Sequence, residues 1–185
     1  IVIRGRLGIV GDRVEARLIP TEGGEMTQWR LVDDSIQAGF FRGEVRARSG
    51  FYRTELRVLS AGEVVGFHQV DSVGIGEVFI IAGQSNSANS GIPRLSPADH
   101  RVCNTDGNVW GPANDPQPIA TGNGGSPWPA FGDYFAERYN VPVGIMSVGW
   151  GGTRVVQWEP GDQSNLFARL QLAADTFEED GVRAV

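Results

Sequence analysis

The period of the hydrophobic pattern changes once along this chain, at Gly76. Before it, apolar and charged residues alternate: Val14, Ala16 and Leu18 against Glu15 and Arg17, then Tyr52, Thr54, Leu56 and Val58 against Arg53, Glu55 and Arg57. A period of two gives each segment one inward and one outward face. "VEARLI" from Val14, "QWRLV" from Gln28, "GEVRAR" from Gly43, "FYRTELRVLS" from Phe51 and "EVVGFHQVDSVGIG" from Glu63 therefore read as strands, with turns at "SGF" near Gly50 and "SAGE" near Gly62. Residues 1–74 are expected to form a small all-β, sandwich-like module.

After Gly76 the run "EVFIIA" is apolar without alternation, as in a parallel strand covered on both faces. A stretch rich in Gly, Pro, Asn and Asp follows from Ser85 to Pro127. A loop of that length is expected to be either functional or disordered. "WPAFGDYFAERYN" then sets Phe131, Tyr134, Phe135 and Arg138 at helical spacing, and "VPVGIMSVG" is a second buried strand. A second helix has Ser164 as its N-cap, a stripe of Leu166, Phe167, Leu170, Ala173, Ala174 and Phe177, and Gly181 as its stop. "VRAV" opens a third strand. This alternation predicts an α/β domain on a parallel sheet over residues 75–185. "VGIGEV" contains no Ser/Pro-rich linker, so the module is expected to pack directly against that domain.

Composition excludes several classes. With 41% apolar and 21% charged residues, the 185-residue chain can bury a real core. Its formal net charge of -6 is wrong for a nucleic-acid surface. All sixteen basic residues are Arg, which removes Schiff-base chemistry and a P-loop lysine. Cys103 stands alone, without a partner for a disulfide or a zinc site, and reads as a structural thiol. No apolar run approaches the roughly 20 residues that span a bilayer, and no basic-then-apolar leader opens the chain. A chain beginning at Ile1 is compatible with a leader already removed, and a secreted or periplasmic location is expected.

Reacting groups in open α/β sheets collect at the carboxyl ends of strands, where "GQSN" and "GWGGTRVVQW" fall. A serine on a Gly-initiated turn can raise its hydroxyl above the sheet while nearby backbone N–H groups hold an oxyanion. Gly151 and Gly152 allow a second backbone to approach and add a donor. On pattern alone Ser85 is a nucleophile or simply part of a structural turn. Ser87 stands where G-x-S-x-G requires Gly, which disfavours an α/β-hydrolase elbow.

Four blocks in order, "VGIGEVFIIAGQSN", "SPWPAFGDYFAERY", "VPVGIMSVGWGGTRVVQW" and "GVRAV", resemble the carbohydrate-esterase branch of the SGNH hydrolases, especially sialate O-acetylesterase-like proteins. The resemblance implies a three-layer α/β/α domain, Ser85 as nucleophile, and Gly152, with Gly151 close behind, in the oxyanion hole. It implies no cofactor and no metal. The family's Gln-Gly-Glu block and the Asp-x-x-His pair that activates the serine are not in this sequence. A complementary C-terminal segment is therefore expected to supply the base, and the chain alone is expected to be catalytically deficient. His68, on a strand of the β module, and His100, beside Asp99 in a loop, read as packing and surface residues.

Gln84 and Asn86 flank the serine and are expected to touch substrate. Trp128 is available to stack on a sugar or to fill the core, and Trp158 is similarly divided. Arg154 would meet a carboxylate-bearing sugar or pair with Glu159 or Asp162. The expected activity is hydrolysis of O-acetyl esters on carbohydrate. The alternatives are a non-catalytic carbohydrate-binding protein and an inactive esterase fragment.

Overall fold

The computed structural model describes residues 1–179, whose contacts form two compact units, Ile1–Ile75 and Gly76–Glu178. The first is all β: β1 (Val2–Arg6), β2 (Arg13–Gly23), β3 (Arg30–Asp33), β4 (Phe40–Glu44), β5 (Gly50–Ser60) and β6 (Glu63–Ile75). Antiparallel pairing gives a four-stranded sheet in the order β3-β2-β5-β6 and a two-stranded sheet β1-β4. Ala61 and Gly62, both at positive φ, close the β5–β6 hairpin as a two-residue turn of this kind requires.

The alternating pattern decides which side faces inward. Val14, Ala16 and Leu18 lie across from Val58, Leu56 and Thr54, and with Ile3, Val32, Val45 and Tyr52 they make the core. The opposite face is less exposed than alternation predicts. Glu15 and Glu55 are buried because Arg57 and Arg17 pair with them across the strands at 2.5 and 2.6 Å. Both guanidinium groups also lie over the Trp29 ring, at 4.5 and 4.7 Å, so the long side chains roof the carboxylates. Two strand expectations shift: the pairing around Gly43 covers Phe40–Glu44 and stops where "VRAR" begins, and β1 has no counterpart in the sequence reading.

The second unit holds β7 (Glu77–Ile81), β8 (Val102–Thr105), β9 (Trp110–Pro112), α1 (Trp128–Tyr139), β10 (Val143–Ser147) and α2 (Leu166–Glu179). Its sheet runs β7-β10-β8-β9. The first three strands are parallel and β9 is antiparallel to β8, so the sheet is mixed rather than wholly parallel. β8 and β9 correct the expectation that residues 85–127 are all loop. The Gly181 stop and the "VRAV" strand lie outside the described residues.

One sheet face carries Val102, Val143 and Ile145, with Phe79 set edge-on to Phe131 and Phe135 of α1 at 5.1 and 4.9 Å. Helix α1 buries Pro129, Gly132 and Ala136, while Tyr134 points outward, contrary to the expected stripe. Small residues take the contact because the helix approaches closely: a Cβ on Gly132 would meet Val102 Cγ1 at 2.2 Å. On the other face Trp110 covers Gly144 and stacks on Phe177 of α2 at 6.0 Å. Helix α2 buries Leu166, Ala173 and Phe177 but leaves Ala174 exposed. It begins after Asn165, whose φ is 56°. Ser164, expected as the cap, instead bonds Asp162 and the Gln157 carbonyl. Among the described residues no helix is long and apolar enough to cross a membrane.

Candidate active site

Strands β7 and β10 are neighbours, so the segments that leave their carboxyl ends travel together. Val148 donates to the Ile81 carbonyl and Trp150 to the Gly83 carbonyl, each at 2.8 Å, extending the pairing past the strands. Ser85 lies two residues beyond Gly83, and Gly152 two beyond Trp150. Gly149 makes this closeness possible, because a Cβ there would sit 2.6 Å from the Ser87 oxygen and 2.9 Å from the Ala88 nitrogen. Both are backbone atoms that cannot swing aside. Gly149→Ala is accordingly expected to cost about 1–3 kcal/mol, the usual penalty of forcing extra atoms into a filled site. An unchanged denaturation midpoint would show that the two segments are not held this tightly.

Ser85–Ser87 form a single 3-10 turn, closed by Ser87 N–H on the Gln84 carbonyl at 2.8 Å. So short a turn does not fix itself. The Ser87 carbonyl accepts the Ser147 hydroxyl at 2.6 Å and the Trp128 indole N–H at 3.1 Å, and the Ser87 hydroxyl donates to the Ala82 carbonyl at 3.1 Å. Ser85 is half-buried and its hydroxyl donates to Oε1 of Gln84 at 2.6 Å. The amides of Ser85 and Asn86, at the open end of the turn, find no acceptor among the described residues. Asn86 and Gln84 are exposed.

Of the two neighbouring glycines, Gly151 is engaged: its N–H donates to Thr121 Oγ1 at 2.7 Å. Gly152 is exposed, at φ 76°, with open space around its α-carbon and an amide that no acceptor meets among the described residues. Thr121 in turn donates its own amide to the Gly149 carbonyl at 3.0 Å.

A buried polar network shapes the long segment between β7 and α1. Asn89 accepts the Gln117 amide at 2.6 Å and donates to the carbonyls of Gln117 and Ala120. The Asp115 carboxylate accepts the amides of Leu95 and Ser126, the Ser126 hydroxyl and the Gln117 side chain. Asn104 donates to Gln117 Oε1 at 3.2 Å. Sequence reading missed these residues, since polar side chains in a Gly/Pro-rich stretch give no periodic signal.

The other candidates separate. Trp128 is half-buried against the core and spends its N–H on the serine turn, which favours packing over sugar stacking. The Trp158 indole donates to Thr153 Oγ1 at 3.1 Å. Arg154 is exposed and pairs with neither Glu159 nor Asp162; its amide goes to Gln157 Oε1 at 2.8 Å. Hydrogen bonds from the Ser164 hydroxyl and amide hold the Asp162 carboxyl below its ordinary range. Burial pushes the Cys103 thiol up, away from reactive thiolate. His100 is exposed and precedes β8, at the amino ends of the parallel strands, whereas Ser85 follows their carboxyl ends. His68 sits on β6 opposite Leu56.

A strand-end serine turn laid against a glycine loop in an α/β unit is an arrangement hydrolases use. Residues 75–185, well over half of the chain, match the family of carbohydrate esterases described as sialic acid-specific acetylesterases, and the chain belongs to that family. No curated protein sequence matches it. Among solved structures, a protein from Arabidopsis thaliana is 19% identical with a TM-score of 0.45, covering 57% of this chain and 52% of its own. A carbohydrate acetylesterase from Xanthomonas citri is 17% identical with a TM-score of 0.46, covering 85% of this chain and 38% of its own. The chain thus spans about half the length of the first and less of the second.

Proposed function

We propose that this protein is a serine-dependent O-acetyl esterase acting on carbohydrate, built on an SGNH-type α/β/α domain. The observation that supports the reading is the Ser85 turn, tied down at Ser87 and packed against Gly149 of the segment that carries Gly152, whose amide meets no acceptor among the described residues. Ser85 Oγ attacks the acetyl carbonyl carbon while an imidazole takes its proton. The Ser85 and Gly152 amides hold the oxyanion, donors of this kind being worth about 2.7–4 kcal/mol each. Collapse of the intermediate breaks the bond to the sugar oxygen, which takes the proton from the imidazole. Water then cleaves the acetyl-serine to acetate and free serine. Gln84, which now accepts the serine hydroxyl, and Asn86 line the substrate side of the turn.

The imidazole comes from a complementary segment bearing an Asp-x-x-His pair. His100 is a poor candidate: β7, five residues at about 3.3 Å each, separates the end of the sheet where it lies from the end where Ser85 lies. A secreted or periplasmic setting belongs to the same reading. The test is ester turnover on an acetylated sugar and on an aryl acetate, alone and with an added segment bearing the Asp-x-x-His pair, together with a fluorophosphonate probe. Labelling of Ser85 and turnover that rises on adding the segment are expected. Sugar binding without labelling would instead identify a non-catalytic carbohydrate-binding protein.

A further inference from the structure

Beyond Gly152 the chain borders an open depression of about 420 Å³, lined by Trp150, Thr153, Gln157, Ser164 and, from the first turn of α2, Leu166 and Arg169. Small-molecule sites typically occupy about 300–1,000 Å³, so one sugar ring fits. Trp150 leaves 41% of its surface exposed, and the Arg169 guanidinium lies over its ring at 4.8 Å.

Arg169 differs from the other half-buried arginines that meet carboxylates. Arg13, Arg17, Arg53 and Arg57 all pair with Glu15 or Glu55, and Arg101 pairs with Asp99. Arg169 is half-buried, yet among the described residues no carboxylate pairs with it. One of its five N–H donors reaches the Ile119 carbonyl at 2.8 Å, and its Nε is buried without any acceptor. A partly desolvated cation without a counter-charge is costly, and among the described residues no Asp or Glu lines the depression.

We infer that this depression is the subsite for a carboxylate-bearing sugar ring and that Arg169, not Arg154, is the specificity-determining residue. This deepens the esterase reading and rests on it, because Trp150 and Thr153 flank the glycines proposed to hold the oxyanion. The sugar ring lies along the exposed edge of Trp150 with its carboxylate toward the guanidinium, and Thr153 and Gln157 meet hydroxyls. Arg154 does not line the depression.

Calorimetric titration with N-acetylneuraminic acid and with its methyl ester tests the charge directly, since the two differ only at the carboxylate. The acid is expected to bind at least about tenfold more tightly than the ester, the scale of a charge-assisted hydrogen bond, and less tightly as salt is raised. Arg169→Gln should erase that preference and Arg169→Lys should restore part of it, while ester affinity changes little. Circular dichroism of each variant shows whether it folds, and the acid-to-ester ratio of the wild-type chain stands without either. Equal affinity for acid and ester, no binding of either, or a preference that survives Arg169→Gln would overturn the assignment. Selective binding of the acid by a chain whose Ser85 never labels would retain the subsite and remove the esterase reading.

Discussion

Ser85→Ala is expected to lower turnover of an acetylated sugar or aryl acetate by about a thousandfold or more when a segment bearing the Asp-x-x-His pair is supplied, and to change little the residual turnover of the chain assayed alone. The loss is large because attack has no second route: dismantled serine triads retain only what binding and the oxyanion hole supply, some 10³–10⁴-fold over water. The substitution removes one hydroxyl, whose hydrogen bond in the resting protein goes to its own neighbour Gln84. Stability should therefore change by less than about 1 kcal/mol, the net worth of an ordinary hydrogen bond. With that segment supplied, turnover unaffected by Ser85→Ala would remove the nucleophile and the mechanism together. Full turnover by the isolated chain that vanishes in His100→Ala would show that the base lies in this chain after all.

Asp115→Ala is expected to cost about 1–3 kcal/mol in denaturant or thermal unfolding, because it strips the acceptor from the part-buried Leu95 and Ser126 amides, each worth about 0.5–1.5 kcal/mol as a hydrogen bond. The Ser126 hydroxyl and the Gln117 side chain lose a partner as well. Asp115→Asn, which keeps one carbonyl oxygen, should fall between. The functional effect follows from the chain path. Residues 117–126 include Thr121, whose hydroxyl receives the Gly151 amide, so loosening them frees the glycine loop beside Ser85. A variant as stable as the parent would show that the network is decorative.

What the sequence made legible is what hydrophobic period encodes. The run Val78–Ala82 announces a strand, but β7 is half-buried rather than buried because among the described residues it lies at the edge of its sheet; a strand that ends at glycine and serine has its next residues at the sheet's carboxyl end. β8 was hidden because only Val102 and Cys103 of its four residues are apolar. Asn104 and Thr105 are buried all the same, Asn104 satisfied by Gln117 and the Asn114 carbonyl. On α1 the spacing of Phe131, Tyr134 and Phe135 fits two adjacent faces. The choice fell to Gly132 and Ala136, since only small residues let the helix reach Val102. Trp128 was readable as a large aromatic but not as the donor to a carbonyl 41 residues away. Trp150 and Arg169 carried weaker signals still, an aromatic before two glycines and a cation within an apolar helix.

The serine turn also has a history in time. The two bonds that fix the Ser87 carbonyl come from Trp128 and Ser147, 41 and 60 residues later in the chain, and three residues of 3-10 turn have little stability of their own. Closing loops of that length must precede the reward of the contacts. Competence at Ser85 is thus acquired late in folding, when β10 inserts between β7 and β8 and brings Ser147 up beneath the turn. In a refolding experiment, secondary structure should return before Ser85 becomes reactive, and the interval between the two would time the arrival of β10.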